Sequence, residues 1–295
     1  MSEIAAQASP SSSPLAIVCG GGQFPSAVAY AVTRRGRRVF LFPIRGWADP
    51  EAVARFPHEW VSLGQLAASL RRMRAEGCRD IVFIGNVLRP TLWQLRLDFK
   101  TLRLLPRIMQ AFKGGDDHLL TNVARMIEEQ GLRLVGAHEV APDILVPAGT
   151  LGRVAPSERD EADIARGLSL IATIGSFDIG QAVVVADNYV LAVEAAEGTD
   201  AMLARVAALR REGRVRIPNG VGVLVKGPKP GQDRRFDLPS IGPRTVEAVA
   251  AAGLAGIAVE AAGAITADLQ RMIRAADTAG LFLVGAPSSR RERGP

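Results

Sequence analysis

Cysteine is scarce: the 295 residues hold two, Cys19 and Cys78. Two in a chain this long make no disulfide framework, and no C-x-x-C pair or Cys/His cluster exists to hold structural zinc. Each sits at the edge of an apolar segment and reads as a small buried hydrophobe in a reducing compartment. Histidine is nearly as rare. His58, His118 and His138 are widely spaced, form no H-E-x-x-H pattern, and read as structural or solvated. No G-x-S-x-G nucleophile elbow occurs. No uninterrupted apolar run approaches the ~20 residues that cross a bilayer. Residues 1–14 (MSEIAAQASPSSSP) lack the basic start and apolar core of a secretory signal and read as a disordered leader. A cytoplasmic protein is expected, able to touch a membrane from that side. Nucleic acid is not expected as a partner: finger spacing, an aromatic–basic RNA signature and a dense basic run within a folded segment are all missing. Arg290, Arg291 and Arg293 make only a short basic tail over 288–295.

What is present is a globular composition, 48% hydrophobic and 22% charged. A chain of this length divides most naturally into two domains of ~100–200 residues each. Lysine and arginine total 36 against 30 acidic residues, and the resulting +6 suits an anionic substrate or an anionic membrane surface. The pattern predicts an α/β protein. In the first half, strands at Leu15–Cys19, Arg38–Pro43 and Asp80–Ile84, with a further strand over 59–63, alternate with helices at Phe24–Arg35 and around Leu66, Leu70 and Met73. Two more helices carry Leu102, Leu105, Met109 and Phe112, then Leu119, Leu120, Val123, Met126 and Ile127, before a strand at Leu132–Val135. Such alternation implies a parallel sheet covered on both faces, a Rossmann-like domain over 15–143. Residues 144–156, with prolines and glycines and no period, read as a linker. The second domain, 157–287, is a mixed α/β unit. It holds a helix over Asp160–Ile174, a hairpin turning at Asp187-Asn188, a helix over Ala201–Arg211 and a strand at Val221–Val225, then helix, strand, helix, strand to Val284.

Four places carry potential chemistry. Gly20-Gly21-Gly22-Gln23 joins a strand to a helix. Glycines there let a backbone approach a ligand, and a helix start offers amide donors to an anion; equally, the run is a tight strand–helix turn. It is neither G-x-G-x-x-G nor a P-loop. Asp116 and Asp117 precede a helix, where capping competes with divalent-ion binding. Glu194, Glu197 and Asp200 put three carboxylates into seven residues at a strand end, with Thr199 among them, a density that calls for cations or solvent. The richest stretch runs from Lys226 to Gly242 and holds Lys229, Gln232, Asp233, Arg234, Arg235 and Asp237 on a proline-stiffened backbone. Lysine and arginine bind phosphate oxygens, and an aspartate holds magnesium or orients water.

The runs LAIVCGGGQFP, GGDD, GQAVVVADNYVLAVEAAEGTDAML (including Gln181) and VKGPKPGQDRRFDLPSIGPRTVE resemble the UDP-2,3-diacylglucosamine pyrophosphatase family of alphaproteobacteria, the form unrelated to the calcineurin-like enzyme. The likeness covers Leu15 to about Pro287, and its two C-terminal runs are the most specific. It implies hydrolysis of UDP-2,3-diacylglucosamine to UMP and 2,3-diacylglucosamine 1-phosphate (lipid X) in lipid A and lipopolysaccharide biosynthesis, with water attacking the α-phosphorus. It further implies magnesium dependence, two domains holding the ligand between them, peripheral contact with the inner membrane and a homodimer. The implied catalytic aspartate is Asp233 or Asp237. Gly21, Gly22, Gln23, Gln181, Thr199, Asp200, Lys226, Lys229, Gln232 and Arg235 are the expected substrate contacts. Asp233, Asp237, Glu197, Asp200, Asp116 and Asp117 are the expected Mg²⁺ ligands. Two rivals remain: a nicotinamide oxidoreductase, disfavoured by the glycine spacing and by Pro43 and Arg45 where an acidic residue belongs, and a nucleotide-sugar binder without turnover.

Overall fold

The computed structural model describes residues 13–62, 65–87, 124, 125, 127–236 and 238–287. The chain divides between Pro142 and Asp143 into two compact units.

In the first unit, strand β1 (Leu15–Cys19) leads through helix α1 (Phe24–Arg34) to β2 (Val39–Pro43). A one-turn helix α2 (Pro50–Val53), capped by Asp49, and helix α3 (Leu66–Ala75) precede β3 (Asp80–Ile84). The short β4 (Arg133–Leu134) and helix α4 (Ala137–Val140) follow. The strands form a parallel sheet in the order β2-β1-β3-β4. All five residues of β1 are buried, as a central strand covered on both faces requires. The order reverses beside β1: β2 lies on one side and β3 on the other. The ends of β1 and β3 therefore flank the crevice where ligands settle in such sheets. Residues 58–61, expected within a strand over 59–63, run beside β2 through isolated bridges (Leu41 to His58, Ile44 to Val61). The helix expected around Leu102–Phe112 lies outside the described residues, as does most of the one expected over Leu119–Ile127, whose described residues 124, 125 and 127 are helical.

The second unit is built on a six-stranded mixed sheet, β5-β12-β10-β8-β6-β7. Helix α5 (Glu158–Ile174) begins at a reciprocal cap: Ser157 Oγ accepts from the Asp160 N–H at 3.3 Å while the Asp160 carboxylate accepts from Ser157 N at 2.9 Å. Strands β6 (Ala182–Ala186) and β7 (Tyr189–Val193) form the expected hairpin. Asp187 and Asn188 both take positive φ, 52° and 60°, as a two-residue turn of right-twisted strands demands. Helix α6 (Gly198–Arg211), strand β8 (Val223–Lys226), helix α7 (Pro243–Ala251), strand β10 (Gly256–Glu260), helix α8 (Leu269–Ala279) and strand β12 (Phe282–Ala286) complete the core. The two-residue strands β9 (Ser240–Ile241) and β11 (Ile265–Thr266) pair with each other.

Alternation along the strands sorts the core into two layers. Val223 and Val225 of β8 face Ile164, Leu168 and Ile171 of α5. Leu224 faces the opposite layer, with Met202, Leu203 and Val206 of α6, Val246 and Val249 of α7, and Met272 of α8. Residues 144–156, read as a linker, carry β5 (Gly149–Thr150), which pairs antiparallel with β12. Val146 is fully buried in the second core, and Leu145 bridges Ile265. The missing period reflects a chain held by backbone bonds to partners more than a hundred residues away, which no local pattern announces.

Candidate active site

The two sheets finish differently at their strand ends. In the first unit the ends of β1 and β3 meet backbone to backbone. Gly21 and Asn86 exchange both N–H···O bonds, each 2.9 Å. A Cβ on Gly20 would stand 2.7 Å from the Asn86 oxygen, and one on Gly85 would stand 2.7 Å from the Gly21 oxygen. A Cβ on Gly21 would lie 3.0 Å from the Trp47 carbonyl. Gly22 takes a φ of 90°, open to glycine alone without strain, and Gln23 precedes the first turn of α1 without making a side-chain cap. Gly20, Gly21 and Gly85 are thus accounted for by contact of two protein segments, the tight-turn alternative. Exposed Gly22 and Gln23 remain the members of that turn turned to solvent.

In the second unit the corresponding end carries side chains. Strands β8, β10 and β12 run parallel and finish together. Because β6 is antiparallel to β8, its first residue, Ala182, lies level with Lys226, and the end of β7 returns to the same edge. Gln181, Glu194 and Lys226 therefore converge from three strands. Lys226 Nζ, on a side chain nine-tenths buried, donates to Thr199 Oγ1 at 2.9 Å and to the Ser240 carbonyl at 3.1 Å. Thr199 Oγ1 donates in turn to Glu194 Oε1 at 2.7 Å, and Glu194 Oε2 accepts from the Gln181 N–H at 3.0 Å. Of this set, Gln181, Thr199 and Lys226 were expected from the sequence. Glu194 stood out only as one of three crowded carboxylates. The available signal was its position directly after a strand that ends in the core.

The loop after β8 rises over this edge. Gln232 Oε1 accepts from the Lys229 N–H at 3.0 Å, Lys229 pairs with Asp178, and Arg234 donates to the Ala262 carbonyl. Arg235 grips Asp233 with Nε at 3.0 Å and Nη2 at 2.8 Å. Asp178, on the turn after α5, was not anticipated. It ties that turn to the loop from 51 residues away.

Of the six carboxylates expected as magnesium ligands, three are described. Glu197 pairs with Arg205 at 2.7 Å, and its carboxyl is held below the ordinary value by its own backbone N–H first, then by Ala195 N–H and Arg205. Asp200 pairs with Arg244 at 3.2 Å, and Asp233 with Arg235. Each faces a different arginine. Asp116, Asp117 and Asp237 lie outside the described residues. No group of three or more His, Cys, Asp or Glu side chains suited to a metal occurs among the described residues. Asp233, one-quarter exposed beside a flexible cation, is the described member best placed to take part in a magnesium site shared with a phosphate-bearing ligand. Such ions need only one or two carboxylates besides the phosphate oxygens. Among the described residues no helix is long and apolar enough to cross a membrane.

Two family models cover nearly the whole chain. The LpxI N-terminal domain matches residues 14–144 and the LpxI C-terminal domain residues 147–284. A curated relative from Caulobacter vibrioides, UDP-2,3-diacylglucosamine pyrophosphatase LpxI, is 42% identical over 277 residues, which is 94% of this chain and 99% of the relative.

Proposed function

Because the chain belongs to the LpxI family along both of its units, we propose that it hydrolyses UDP-2,3-diacylglucosamine to UMP and 2,3-diacylglucosamine 1-phosphate, a step of lipid A biosynthesis. The observation that carries this reading is Lys226, a buried ammonium held at the ends of the strands among polar partners, under a loop that supplies Lys229, Arg234 and Arg235. A substrate diphosphate brings negative charge that repels an oxygen nucleophile. Fixed cations at the strand ends offset that charge without reorganising during the reaction.

Water attacks the α-phosphorus. A bond forms between the water oxygen and that phosphorus, the bond from it to the bridging oxygen breaks, and the electron pair leaves with the lipid-sugar phosphate. Asp233 is the carboxylate assigned to orient the water, with Asp237 the alternative. In the free protein Arg235 holds Asp233, and a bound phosphate competes for that arginine. Asp233 or Asp237 would hold magnesium together with the diphosphate, and the ion would supply further charge neutralisation. Gln181, Thr199 and Gln232 border the same edge as substrate contacts. The enzyme is proposed to work in the cytoplasm, as a homodimer, on a substrate presented at the inner-membrane face.

The test is hydrolysis of UDP-2,3-diacylglucosamine in ¹⁸O-water with magnesium or with EDTA, the products being weighed by mass spectrometry. Label in UMP with magnesium, and no turnover with EDTA, is expected. Label in the lipid phosphate would relocate the attack. Tight binding with no product would favour a nucleotide-sugar binder instead.

A further inference from the structure

Glu194 is buried, and among the described residues its two oxygens take the Gln181 N–H and the Thr199 hydroxyl proton. That arrangement has a direction. With both carboxylate oxygens able only to accept, the Thr199 hydroxyl must point its proton at Glu194. Its lone pairs are thereby left facing Lys226 Nζ, 2.9 Å away. The Ser240 carbonyl, which can also only accept, takes a second ammonium proton at 3.1 Å. These two contacts, to groups of fixed polarity, set how the Lys226 ammonium is turned.

We propose that Glu194 is a positioning residue which, by polarising the Thr199 hydroxyl, holds the Lys226 ammonium in a single orientation for a phosphate oxygen of the substrate. The inference rests on the reading of Lys226 as a substrate-binding cation. The chain of contacts crosses elements that meet only in the fold: the ends of β7 and β8 and the first turn of α6. Glu194 and Lys226 lie 32 positions apart, but one hydroxyl links them. The carboxylate also adds negative charge two hydrogen bonds away from the ammonium, in a site screened little by solvent.

The substitution Glu194→Gln retains size and removes the polarity. An amide can accept with only one end; the Gln181 main-chain N–H cannot turn and takes that oxygen, so the NH₂ faces the Thr199 hydroxyl. The hydroxyl then turns, and its proton competes with those of Lys226. Turnover of UDP-2,3-diacylglucosamine is measured for wild type, Glu194→Gln, Thr199→Val, Thr199→Ser and the Glu194→Gln/Thr199→Val double variant. Both Glu194→Gln and Thr199→Val are expected to lose roughly ten- to hundredfold in kcat/KM, the range of a hydrogen bond to a charged group. Thr199→Ser recovers most of what Thr199→Val loses, and the double variant is no worse than Thr199→Val alone, because both break one chain. Additive losses, or full activity in Glu194→Gln, would overturn the proposal.

A second readout does not depend on turnover. In ¹H–¹⁵N spectra of the lysine side chains, a hydrogen-bonded, buried ammonium exchanges slowly enough to be seen. The Lys226 signal, assigned by its loss in Lys226→Arg, should be present in wild type and broadened away in Glu194→Gln and Thr199→Val. If wild type shows the signal but turns over no substrate, the proposed function fails while the relay stands. If the signal survives Glu194→Gln unchanged, the relay fails whatever the enzyme does.

Discussion

Both units present parallel strands whose carboxyl ends gather at one edge, and the two edges are finished in opposite ways. In the first unit the edge is closed by main chain. Gly20 and Gly85 allow the turns after β1 and β3 to touch, and Asn86 and Gly21 satisfy one another's amides. Among the described residues of that unit, buried charge sits at the other end, where Asp80 at the start of β3 is held by Arg37 at 2.6 Å and by Arg133 at 2.8 Å. In the second unit the edge is finished by buried side chains, Glu194, Lys226 and Gln232, and the opposite end is closed by Asp163 on α5, which accepts from the backbone N–H groups of Asp187 and Asn188 at 2.9 and 2.6 Å. A glycine-rich turn and a charged loop look like equivalent ligand signals in a sequence. The packing separates them: one spends its glycines on contact with its own chain, the other gathers hydrogen-bonded polar and charged side chains.

This contrast has measurable consequences. The largest belongs to Lys226→Met, which keeps the apolar stem and removes the ammonium. UMP release by the folded protein should fall by about a hundredfold or more, as for loss of one fixed charge-stabilising donor, beyond the lower urea midpoint that an unmet Ser240 carbonyl brings. Next comes Gly20→Ala, whose Cβ meets main chain that cannot swing aside. It should destabilise the protein by about 3 kcal/mol, read as a lower urea midpoint. A normal midpoint with abolished turnover would instead put the first edge in contact with substrate and break the comparison.

Asp80→Ala strips two arginines of their shared partner, and because Arg133 is largely exposed the cost should be nearer about 2 kcal/mol than the full 3–5 of a wholly buried pair. Burial by itself pushes the Asp80 carboxyl up, but the hydrogen bonds and charges of Arg133 and Arg37 outweigh it and hold the pKa below the ordinary value. A carboxylate lowered in the folded state stabilises fully above its unfolded pKa of about 3.9 and loses that contribution as pH falls through the native value. Wild type should therefore lose stability below about pH 4 more steeply than Asp80→Asn, in urea melts taken across that range. Asp163→Ala leaves two turn amides without their acceptor and should cost about 2 kcal/mol, with turnover of the folded enzyme preserved. The smallest effect sharpens the picture of the first core. Burial pushes Cys19 up to about 12 and Cys78 to about 11, so neither thiol should react with iodoacetamide at pH 8 until the protein is unfolded.

The strands and the hairpin were legible from the residues. β1 falls at Leu15–Cys19 and β3 at Asp80–Ile84 as the apolar runs predict, and Asp187-Asn188 announces a two-residue turn. β5 was not legible, because Gly149 and Thr150 carry no strand pattern and owe their pairing to β12. Part of the candidate site could be read as well: Gln181, Thr199 and Lys226 do come together. Of the six carboxylates expected as magnesium ligands, Glu197, Asp200 and Asp233 are described, and each faces an arginine that its place in the sequence does not announce.

By itself the sequence determined the α/β alternation, the family and the stretches rich in phosphate-binding chemistry, because hydrophobic period, turn residues and motif spacing are properties of neighbours along the chain. Only the tertiary structure decided which charge answers which. Arg244 reaches Asp200 across 44 positions, Lys226 reaches Thr199 across 27, and two glycine turns in the first unit meet across more than 60. Electrostatic and steric partners are chosen by distance in space, and the register of the sheets, which sets that distance, emerges only when the strands have paired.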